Sequence, residues 1–195
     1  MHVKGAFYLI RPAWKVMRRG SGTPELNTCS AAGILGAERM SNYGAAKTGL
    51  IGFTRVLAPE GADHNIKVNA IAPIAYTRML AHSFDTAGRQ DDASAQAVLD
   101  DLVGQYLQRL DPALVAPVAA FLAHQDCPVS REIYTDCAEH VARFFIGRTK
   151  GFYSPELSVE DVRNHLGKIR DEAGYTVPNG PADEITELFT TIMTN

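Results

Sequence analysis

The chain has 195 residues, 46% hydrophobic and 21% charged, the balance of a globular protein that buries roughly 70% of the surface its unfolded form exposes. A net charge of -3, with Lys and Arg scattered, excludes the basic footprint of a nucleic-acid binder or of a protein gathered on an anionic membrane. Cys29, Cys127 and Cys137 have no CxxC spacing and no histidine at ligand spacing, and no apolar run approaches the ~20 residues of a membrane span, so reduced cysteines, no metal, no membrane crossing and a cytoplasmic setting are expected.

In chain order, apolar residues recur near the helical period at Phe7, Ile10, Trp14 and Met17, predicting a helix over residues 3–17. Pro12 inside it predicts a kink or a late start. Residues 26–30 form a short strand candidate before the Ala31-Ala32-Gly33 break. Residues 41–61 read as a long helix capped by Ser41 or Asn42, with Pro59 near its end. The apolar run over residues 66–72 suits a buried strand of a parallel sheet. An amphipathic helix is expected over residues 98–110, and Asp111-Pro112, a cap followed by proline, opens another. A last strand lies in residues 132–134 or 141–146. A capping-box helix begins at Ser158 with Asp161, and a final helix spans residues 181–193. No repeat or linker divides the chain, so one α/β domain with a parallel sheet is expected.

Tyr43 and Lys47 are one helical turn apart, so both side chains emerge on one face. A phenol is a poor proton donor or acceptor at neutral pH, and a fixed positive charge beside it favours the phenolate, which is what general acid-base work requires. Ser30, at the end of the preceding strand, offers a hydroxyl to a substrate oxygen on which charge changes during reaction. The Tyr-x-x-x-Lys pair alone is a weak signal.

Taken together, Asn27-Thr28-Cys29-Ser30-Ala31-Ala32-Gly33, Tyr43-Gly44-Ala45-Ala46-Lys47 and Val68-Asn69-Ala70-Ile71-Ala72-Pro73 resemble the short-chain dehydrogenase/reductase family in order and spacing, with Ser30 thirteen residues before Tyr43. The resemblance implies a partial Rossmann-like, doubly wound parallel sheet: its last three strands, flanking helices and a helical C-terminal extension. It makes Tyr43 the proton-exchanging group, Lys47 its assisting charge and the holder of the nicotinamide ribose, and Ser30 the group that positions the substrate oxygen. His2 falls where that family often has an asparagine anchoring a proton-relay water. Pro73, Ile74 and Thr77 would line the nicotinamide carboxamide of NAD or NADP, with Ile74 in place of the usual glycine.

Residues 69–79, 123–127 and the long tail are similar to bacterial relatives of the (3R)-hydroxyacyl-CoA dehydrogenase domain of multifunctional β-oxidation enzymes. That implies a small-molecule substrate, an acyl-CoA in particular, with residues 80–110 as its lid. The helices carrying Trp14 and Tyr43 would form a homo-oligomer interface.

The glycine-rich phosphate turn of that family is not found in the 195 residues and would lie upstream of the position matching Met1. Cys137-Ala138-Glu139-His140 stands where relatives carry a glycine-rich turn. A rival expectation is therefore a noncatalytic truncated fragment or oligomerisation module. A sugar epimerase or dehydratase of the extended family shares Tyr-x-x-x-Lys but matches the tail less well.

Overall fold

The computed structural model describes residues 2–20, 22–79, 104 and 109–194. The chain folds as two compact units, residues 1–144 and 145–195. In the first, α1 (His2–Met17) leads to β1 (Glu25–Thr28), the one-turn helix α2 (Ala31–Ile34), α3 (Ser41–Gly61), a 3-10 turn (Ala62–His64) and β2 (Val68–Ile74). A second 3-10 turn (Pro112–Val115) continues into α4 (Ala116–Leu122), followed by β3 (Ile133–Cys137) and β4 (His140–Phe144).

The sheet order is β1-β2-β3-β4, parallel across the first three strands and antiparallel between β3 and β4. This is the expected α/β, Rossmann-like arrangement, with three parallel strands and one more. The two alternatives for the last strand are both strands, joined as a hairpin with Cys137 opposite His140. The two-residue loop holds Ala138 at φ 49° and Glu139 at φ 68°, the left-handed pair that a tight hairpin turn demands.

β2 is the central strand, and Val68 to Ala72 are each at most 3% exposed because helices or loops cover both of its faces. One core cluster joins Met17, Leu57, Ala58, Ile66 and Val68, with Trp14 and Phe53 packed on it; the other joins Cys29, Ile51, Ala70, Ala72 and Ile133. Asn69, fully buried, fastens β2 to the loop before β3: its amide donates to the Val129 carbonyl at 2.9 Å, and its oxygen accepts from the Glu132 N–H at 3.1 Å. A buried amide satisfied on both sides fixes register without leaving an orphaned polar group.

α1 begins at His2 and stays helical through Pro12, against the expected late start. Pro12 and Tyr8, the residue whose carbonyl it leaves unbonded, are both exposed, so the lost bond lies on the solvent side. α3 has the expected bounds, but the residue at its cap is Met40, with no side-chain bond; the Asn42 oxygen instead accepts from the Tyr43 N–H at 2.7 Å. The helix expected over residues 98–110 lies, but for residues 104, 109 and 110, outside the described residues.

The second unit holds α5 (Val159–Asn164), α6 (Leu166–Ile169) and α7 (Pro181–Thr194). The capping box is present: Ser158 Oγ accepts from the Asp161 N–H at 3.1 Å, and the Asp161 carboxylate accepts from the Ser158 N–H at 3.0 Å. Arg148 and Thr176 form an antiparallel bridge, with both backbone bonds at 2.9 Å. No helix among the described residues is long and apolar enough to cross a membrane.

Candidate active site

Parallel β1 and β2 end on the same side of the sheet, and ligands of such sheets gather beyond the carboxyl ends of the strands. Ser30 stands two residues past β1 with extended backbone, φ -162° and ψ 147°, and caps α2: its Oγ accepts the Ala32 N–H at 3.2 Å. The hydroxyl proton stays available to donate.

Alternate residues of β1 bond to β2. Glu25 N–H reaches the Lys67 carbonyl and Cys29 N–H the Ile71 carbonyl, each at 2.8 Å, so the Thr28 carbonyl between them faces the open edge. Lys47 reaches it there, Nζ to oxygen 2.8 Å. That bond steadies an ammonium on a side chain only 7% exposed. Tyr43, one turn earlier on α3, is half-buried, with its ring centroid 5.7 Å from Lys47 Nζ. The His2 ring meets it edge-on at 5.6 Å between centroids. The structure therefore brings His2, Tyr43 and Lys47 together.

The segment after Ser30 is pressed onto the same helix. A Cβ on Gly33 would lie 2.8 Å from the Thr48 nitrogen and 2.9 Å from Lys47 Cβ, so only glycine fits. The Thr48 hydroxyl stands 2.5 Å from the Gly33 carbonyl and 2.9 Å from the Gly44 carbonyl, a latch between the Ser30 loop and the helix that bears Tyr43 and Lys47. Pro73 and Ile74 close β2, and Thr77 follows, at the same end of the sheet; Pro73 is half-buried and Ile74 is 40% exposed. The lid expected over residues 80–110 falls mostly on residues outside the described set. Cys29, one residue from Ser30, is buried, and burial pushes its thiol up, away from the reactive thiolate.

The Thr28 carbonyl and the Thr48–Gly33 latch were not singled out from sequence. A backbone carbonyl has no residue signature. Thr48 reads as an ordinary helix position until α2 is seen against it.

Residues 1–88 match the family model described as short chain dehydrogenase. A Mycobacterium tuberculosis protein named as a short-chain type dehydrogenase/reductase is 33% identical over 91% of this chain and 56% of its own length. The chain belongs to the short-chain dehydrogenase/reductase family. The peroxisomal hydratase-dehydrogenase-epimerase of Saccharomyces cerevisiae is 35% identical over 90% of this chain and 18% of its own length. The full-length peroxisomal multifunctional enzyme type 2 of Drosophila melanogaster superposes on 99% of this chain, and 33% of its own, with TM-score 0.78 and 25% identity. The chain thus spans just over half of the mycobacterial relative and a third or less of the other two. β1 passes into α2 through Ser30-Ala31-Ala32-Gly33, and among the described residues no strand-to-helix turn has the glycine-rich spacing that cradles a pyrophosphate.

Proposed function

We propose that the chain carries the catalytic residues of an NAD- or NADP-dependent oxidoreductase of secondary alcohols and carbonyls, with 3-hydroxyacyl-CoA thioesters as its substrate class. The observation that carries this reading is the Tyr43–Lys47 pair on one face of α3, with the ammonium held at 2.8 Å on the Thr28 carbonyl beside the Ser30 loop.

In the oxidising direction the Ser30 O–H donates to the substrate oxygen, and the Tyr43 oxygen takes the hydroxyl proton as the carbon–oxygen double bond forms. Lys47 spends one N–H on Thr28 and keeps two, enough for the two hydroxyls of a nicotinamide ribose. His2, whose ring lies edge-on to Tyr43, would pass the proton onward. Pro73, Ile74 and Thr77 would line the carboxamide. Bound there, the nicotinamide supplies the hydride acceptor, or the donor in reduction. The residues present fit its ribose end; the pyrophosphate has no glycine-rich cradle among them.

Titration of reduced NAD and NADP by nicotinamide fluorescence tests this. Saturable binding tighter than ~1 mM, weakened about tenfold by Lys47→Ala, is expected. Weaker binding, or binding indifferent to Lys47, overturns it. A second reading, a noncatalytic self-associating module, is favoured by Tyr8, Leu9 and Val16, which are 66–74% exposed on α1.

A further inference from the structure

We propose that the second unit holds a binding site for a phosphorylated, polyhydroxylated small molecule, the chemistry of a sugar phosphate. A cavity of about 550 Å³ opens within that unit, in the size range of small-molecule pockets. Its lining divides by chemistry. Lys150, Lys168 and Tyr153 come from the segments before α7, and α7 contributes Thr186, Thr190 and Thr194 at i, i+4 and i+8, a row along one helix face.

The charge balance of the cavity is positive. Arg148 and Glu187 also line it, but they neutralise each other: Arg148 Nη1 donates to Glu187 Oε2 at 3.2 Å, and Thr176 donates to the same oxygen at 2.8 Å. Glu184 adds a further contact to Arg148 at 3.7 Å. No such carboxylate meets Lys150 or Lys168 among the described residues. Lys168 instead sets its ammonium over the Phe152 ring, Nζ 5.5 Å from the centroid, and that ring stacks on His165 at 3.9 Å. Two ammonium groups without a carboxylate partner and a phenol in one cavity are donors for a dianionic phosphate.

The threonine row has the opposite character. The hydroxyls of Thr186, Thr190 and Thr194 each donate to the carbonyl four residues earlier, at 2.9 Å. Their protons are spent and their oxygens keep lone pairs, so the row accepts hydrogen bonds. Its complement is a ligand that donates, as sugar hydroxyls do. An anion at the lysines and hydroxyl donors at the threonines describe one molecule that satisfies both.

Calorimetric titration of the whole 195-residue protein with ribose 5-phosphate, inorganic phosphate and ribose at low salt tests the site. Submillimolar binding of ribose 5-phosphate is expected, at least tenfold tighter than phosphate or ribose alone. Lys150→Gln with Lys168→Gln should weaken it by about tenfold per lysine. Thr190→Val, close to isosteric and uncharged, should weaken ribose 5-phosphate and leave phosphate unchanged. Lys47→Ala should change neither, which separates this cavity from the proposed nicotinamide site whatever becomes of that one. Absence of saturable binding, full binding by the double lysine variant, or phosphate binding as tightly as ribose 5-phosphate would each overturn the proposal.

Discussion

At Glu25, burial beats solvation: the carboxyl is pushed up to about 7 from 4.5, even though the Asn27 amide donates to it at 3.0 Å. Asp136, 1% exposed with one oxygen unpartnered, is raised for the same reason. An acid whose folded pKa lies above its unfolded value binds the proton more tightly when folded. For Glu25 the resulting stabilisation is complete below about 4.5 and is lost as pH rises to about 7. Glu25→Gln should therefore flatten that limb, removing a slope of up to ~1.4 kcal/mol per pH unit, as measured by urea unfolding at a series of pH values. The pairing of Tyr43 with Lys47, which lie 5.7 Å apart from ring centroid to Nζ, could be read from sequence because it rests on residue type and spacing. The backbone partner of Lys47 could not, because any residue at position 28 offers the same carbonyl.

At the scale of elements, α3 was legible in its extent, being 21 residues long, but not at its cap, because Met40 there makes no side-chain bond that a sequence could announce. The β3–β4 hairpin was seen only as two rival strands, because its turn lacks the Asn-Gly or Gly-Gly signal. Ala138 and Glu139 take left-handed backbone without glycine, at about 1 kcal/mol or more each. Glu139 gains a contact to Arg109 at 3.2 Å, but both side chains are more than 60% exposed, so the pair returns at most ~0.5 kcal/mol. Strain wins. Ala138→Asn with Glu139→Gly is expected to stabilise the protein by about 1 kcal/mol, read as a rise of a few degrees in the thermal midpoint.

Over the whole molecule the chain forms two compact units, and no linker composition announces the boundary after Phe144. The first unit leaves α1 with Tyr8, Leu9 and Val16 outward and β1 at an edge of the sheet, both features that invite another chain. Sedimentation should show dimers or larger species at micromolar concentration, shifted toward monomer by Tyr8→Glu with Leu9→Glu. If Tyr43 and Lys47 form working chemistry, it is read in the turnover of a 3-hydroxyacyl-CoA with NAD or NADP, followed by nicotinamide absorbance in the native protein and in Tyr43→Phe. Turnover that falls by at least about a hundredfold in the variant is the predicted result. No turnover in the native protein, or turnover that survives the loss of the phenol, would contradict it.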